Sequence, residues 1–214
     1  MITLNDLKKP KFRSVDQVYR DYQIPPNVVE HMEWVAQVAE EVLTGWVGPA
    51  VDGELTLLSA RLHDLGNIVK FRRPFTGEIA KKLIDDLDHW YSVQDRFITK
   101  YGTDANQVTH QILAELGLTG NVGRVLGEME QIADHYLYSV SNVAPDSEIG
   151  YEARILEYAD CRVSPEGIVS FETRMKDLCD RYGRDCDGLW SEALKENAVI
   201  IETNTQPKQP KPKI

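Results

Sequence analysis

Apolar residues at Val28, Met32, Val35, Val38, Ala39 and Val42 recur every three or four positions, which places them along one side of an α-helix. A stripe with that period has to be buried against another element, and it commits the chain to helical packing. Pro25-Pro26-Asn27 supplies a start signal, and Gly45 with Gly48 supplies a stop. A second stripe, Leu55, Leu58, Leu62 and Leu65, predicts a helix from about Asp52 to Asn67. Further helices are expected at about Gly77–Leu87, His89–Lys100, Asp104–Leu116, Val122–Val140, Glu148–Val163, Ile168–Tyr182 and Gly188–Asn197. The β-branched run Val199–Ile201 is too short to build a sheet alone. With short connections and no strand–helix alternation, the expected fold class is all-α, a helical bundle.

The chain has 214 residues, enough for one domain with a real core. That domain is expected over residues 26–200, after an N-terminal segment at 1–25. Ser141–Ser147 reads as a loop. The tail 201–214 reads as disordered, since from Thr205 onward Pro, Lys and Gln leave little to bury. A formal charge of -10 argues against a dedicated nucleic-acid binder, because phosphate backbones are held by clustered Lys and Arg. It leaves room for a small phosphorylated substrate at a local cationic site. Residues 1–11 lack a signal-peptide core, and no segment approaches a membrane span. Cys161, Cys179 and Cys186 fit neither a disulfide framework nor a zinc ribbon. They read as free thiols, and the protein as cytoplasmic with no membrane partner.

In a bundle, ligand sites are made by polar side chains that project inward. His31 lies on the apolar stripe between Val28 and Val35. His63-Asp64 follows Leu62 near the end of an apolar stretch. Asp160 sits among Leu156, Ala159 and Val163, where an unpaired carboxylate would be costly to bury and a cation would remove the cost. Two imidazoles and two carboxylates from separate segments suit one divalent transition metal, Mn, Fe, Co, Ni or Zn, better than Mg.

His31, the segment Ala60-Arg-Leu-His-Asp-Leu-Gly66 and the segment Tyr158-Ala-Asp-Cys-Arg-Val163 together resemble the H…HD…D signature of the HD-domain superfamily of phosphohydrolases. The resemblance spans about Pro26 to Met175 and implies a metal held by His31, His63, Asp64 and Asp160. Implied too is hydrolysis of a phosphomonoester or phosphodiester, of nucleotide type, by metal-activated water, with Asp64 orienting that water. Two-metal members carry two more histidines, for which His110 and His135 are the candidates here. The wide gap before His110 implies a helical insertion at about 77–100. Related phosphatases commonly have Glu or Lys three residues after the HD aspartate, whereas this chain has Asn67, an amide that orients water but takes no proton. That departure keeps a second reading open, a non-catalytic module that binds metal or nucleotide and acts through a partner. Lys70, Arg72 and Arg162 are the preferred substrate-binding cations, against the alternative of a solvated basic connector. Trp90, Phe97 and Tyr101 read as core packing, and His89 as a surface residue or a neighbour of Trp90.

Overall fold

The computed structural model describes residue 12 and residues 14–140, 149–183 and 185–206; the side chains at 78, 80, 84, 133–140 and 182 lie outside that description. Among the described residues the fold is all-α. The helices are α1 (Val15–Asp21), α2 (Pro26–Gly45), α3 (Gly53–Ala60), α4 (Gly77–Leu83), α5 (Leu87–Tyr101), α6 (Ala105–Leu116), α7 (Val122–Val140), α8 (Tyr151–Asp160), α9 (Phe171–Tyr182) and α10 (Leu189–Thr203). Two 3-10 turns, Asn67–Lys70 and Ile84–Asp86, complete the helical set.

Local chemistry accounts for most boundaries. Pro26 begins α2 where its missing N–H costs nothing. Asp52, Asp86, Asp104 and Ser170 each accept a hydrogen bond from a first-turn N–H of the helix they precede. Gly117 closes α6 in the left-handed conformation, at φ 75°. The centre of the bundle is α2, whose Met32, Val35, Ala36 and Ala39 are fully buried against α3 and α8, while α7 and α10 pack around α8.

Four expectations are corrected. The helix read from Asp52 to Asn67 stops at Ala60, because Leu62 N–H already bonds to Ser59 O, a three-residue turn that ends the α geometry. The segment 1–25 is not a separate unit where it is described: Val18, Tyr19 and Ile24 join the common core. The tail does not begin at 201, since Ile201 is buried and α10 runs on to Thr203. Beyond it Val47 N–H donates to Asn204 O (2.9 Å) and Gln206 N–H to Gly45 O (2.8 Å), tying residues 204–206 to the end of α2. Finally, Cys179 and Cys186 form a disulfide across the α9–α10 turn, where the helix ends bring their Cα atoms to 5.7 Å; Cys161 alone is a free, buried thiol.

Smaller differences follow the same physics. The end of the helix expected at Glu148–Val163 becomes a β-ribbon, β1 (Val163–Ser164) against β2 (Gly167–Ile168), where Pro165 cannot continue a helix. Val199–Ile201 is helical, taken up by the packing of α10 on α7 and α8. The loop read at Ser141–Ser147 and the tail from 207 to 214 lie outside the described residues. Among the described residues, no helix is long and apolar enough to cross a membrane.

Candidate metal centre

Three helix segments deliver the site. His31 rides on the inner side of α2, and Asp160 is the last residue of α8. His63-Asp64 occupies the tight turn after α3. There the His63 ring folds back, and its Nδ1–H donates to Ala60 O at 2.9 Å. A carbonyl can only accept, so in the neutral ring the lone pair lies on Nε2. That Nε2 is buried and has no hydrogen-bond partner. The turn is pinned from behind by Gly66, whose N–H donates to Thr109 Oγ1 of α6 at 2.9 Å. A Cβ at Gly66 would stand 2.3 Å from Ala105 O, so glycine is what allows the approach.

The donor atoms converge. His31 Nε2 lies 3.0 Å from Asp160 Oδ1 and 3.5 Å from Asp64 Oδ2; His63 Nε2 lies 3.8 Å and 3.7 Å from the same two oxygens. His31, His63 and Asp64 each offer one donor atom, all within 4.8 Å of one another, a group that could hold a metal ion. Donors at about 2.0–2.2 Å from a common ion lie roughly 3–4 Å apart, so these separations fit. The orphaned Nε2 of His63 fits as well, since a metal would complete its coordination. His63 is only 9% exposed, whereas the Asp160 side chain retains 28%, so the centre opens to solvent on the Asp160 side.

Without a metal the electrostatics are those of an ion-pair cluster. Burial alone would push the His63 imidazole down, but the neighbouring carboxylates, Asp64 first and then Asp160, raise its pKa from 6.5 to about 9. For Asp160 burial acts upward and is outweighed by the adjoining His31 and His63 imidazoles, which hold the carboxyl well below its usual range. Glu157 behaves oppositely: burial, then the Asp160 charge, raise it from 4.5 to about 8. Its Oε1 accepts from Cys161 Sγ at 3.7 Å. Sequence reasoning missed Glu157, although its place three residues before Asp160 puts both carboxylates on one side of α8.

The remaining candidates are placed as follows. Asn67 joins the site: its Nδ2 donates to Asp64 Oδ2, and its Oδ1 is buried without a partner. Arg162 does not present a free guanidinium, because Nε donates to Val169 O (2.6 Å) and an Nη to the Tyr158 hydroxyl (3.0 Å), bracing the β-ribbon. Lys70 and Arg72 are exposed, and neither side chain makes a hydrogen bond or ion pair among the described residues. Their neighbour Arg73 is structural, held by Gln94, the Tyr91 carbonyl and Asp95. His110 turns to Glu130 of α7 (3.2 Å) and is not part of the converging group, so it brings no second set of ligands to it. The His135 side chain lies outside the described residues. Phe97 is buried, Trp90 and Tyr101 pack half-buried against the core, and His89 stands edge-on to Trp90 at 4.9 Å.

No family model, no curated protein and no solved structure matches this chain.

Proposed function

We propose that the chain is a metal-dependent phosphohydrolase of the HD type, with His31, His63, Asp64 and Asp160 as ligands. The observation that carries this reading is the buried, unpartnered Nε2 of His63, held in its tautomer by Ala60 O and facing two carboxylates and a second imidazole. A divalent transition metal bound there supplies positive charge that polarises a phosphoryl oxygen and acidifies water.

The chain's own residues do the rest. His63 and Ala60 fix one nitrogen donor, so ligand geometry is set before anything binds. Asn67 fixes one oxygen of Asp64, which orients that carboxylate toward its second task, accepting a hydrogen bond from the attacking water. The solvent-open Asp160 side admits a small phosphate ester, of nucleotide type in this reading. Lys70 and Arg72 are the exposed cations nearest in sequence to the turn and stand as candidates for its remaining charge.

Asn67 also favours a second reading, a non-catalytic module that keeps the site for metal or nucleotide binding. Its amide takes no proton, and it is already engaged with Asp64. The two readings separate in one experiment. Metal content and phosphatase activity are measured on chelator-free protein, on His31→Ala and on Asp64→Ala. About one equivalent of metal, lost in His31→Ala, with turnover abolished in a folded Asp64→Ala, supports the enzyme. Metal without turnover under any ion supports the module, and no metal under any loading condition sinks the enzyme.

A further inference from the structure

The stretch of α2 that carries His31 is packed from outside by α4. Glu30 and Trp34 flank His31 on α2, and Trp34, one helical turn further on, is its neighbour on the helix surface. The α4 helix lies across this stretch. Its Leu83 is buried at 1% exposure, while Lys82 reaches back to form an ion pair with Glu30. The Lys82 ammonium also stands 5.2 Å from the centre of the Trp34 ring. A half-buried aromatic face beside a metal-ligand candidate is therefore covered by a cation, itself held by a carboxylate on the other flank of that ligand. Both contacts are exposed and of the weak kind, so they can be exchanged for contacts to a ligand without disturbing the core.

We propose that α4 is a latch on the His31 side of the cleft and that Lys82 is its specificity-determining residue. With Lys82 on Trp34 and Glu30, the cleft takes small phosphate esters. An ester with a planar aromatic leaving group must displace the ammonium to stack on Trp34. The inference rests on the phosphohydrolase reading for its substrate class, but the latch itself is a property of the fold.

Two measurements test it on the full chain. The first compares kcat/KM of the Mn-loaded protein for 1-naphthyl phosphate and glycerol 2-phosphate. Lys82→Met should raise the naphthyl-to-glycerol ratio about threefold to tenfold. Lys82→Arg, which can stack and pair in the same way, should leave the ratio near the parent's. Adding Trp34→Leu to Lys82→Met should cancel the gain. An unchanged ratio in Lys82→Met, with both esters turned over, overturns the proposal. If the parent turns over neither ester, the phosphomonoester form of that reading fails and the second measurement decides the latch. It is acrylamide quenching of Trp34, read as the difference between each protein and its Trp34→Phe counterpart. Quenching should increase in Lys82→Met, and no increase overturns the latch whatever the activity.

Discussion

Histidine 63 uses its two ring nitrogens differently: Nδ1 is bound to a helix-end carbonyl and Nε2 is left to the centre. In the metal-free protein this ring and Glu157 both make stability depend on pH. His63 holds its proton up to about pH 9 in the fold, against 6.5 ordinarily, so its contribution is complete below 6.5 and gone above 9. Glu157 holds its proton to about pH 8 against 4.5, so the fold loses stability as pH rises between those values. The two effects have the same sign between pH 6.5 and 8. Thermal unfolding of metal-free protein should therefore show a melting temperature that falls across this interval. Glu157→Gln, which cannot ionise, should flatten the fall; an equal or steeper fall in that variant would contradict the assignment. His31 and Asp160 were legible in the sequence because a polar residue on an apolar stripe is conspicuous. Glu157 was not, because its burial depends on what packs over the end of α8. Arg162 looked available by position, yet its guanidinium is taken by Val169 O and Tyr158, contacts that no spacing rule anticipates.

Among the elements, α2 was readable nearly to its ends, since proline, stripe and glycine agree there. The early end of α3 was not readable. Leu55, Leu58, Leu62 and Leu65 keep helical period through it, and Leu62 and Leu65 are fully buried even so. The Ser59–Leu62 turn ends the helix, and tertiary contact fixes the turn that follows: a Cβ at Gly66 would collide with Ala105 O and Val108 Cβ of α6. Gly66→Ala should destabilise the chain by about 1–3 kcal/mol through overpacking. It should also weaken metal binding, because the displaced turn carries His63 and Asp64. Urea unfolding and a metal titration check the two parts. A stable Gly66→Ala with undiminished affinity would show that the contact with α6 does not position the turn. The β-ribbon and α1 escaped sequence reading for a related reason: both are short, and both owe their structure to neighbours more than to their own pattern.

On the scale of the whole molecule, the all-α architecture was legible from periodicity and the lack of strand alternation, while the closure of the bundle was not. Residues 204–206 return to Gly45 and Val47, and a Cβ at Gly45 would meet Gln206 O at 2.5 Å. The sequence there looks like the start of a polar tail, and only the fold shows that Asn204 O satisfies a backbone donor beyond the end of α2. A chain ending at Thr203 should lose about 0.5–1.5 kcal/mol, because the exposed Val47 N–H forfeits its acceptor. Urea denaturation of the shortened chain measures it, and an unchanged midpoint would mean that water replaces the strap. The same strap orders events during synthesis. The end of α2 is translated early but obtains its last backbone partner only from residues made after all ten described helices. A nascent chain can therefore present His31, His63, Asp64 and Asp160 before the ribosome has supplied the segment that ties down the far end of α2.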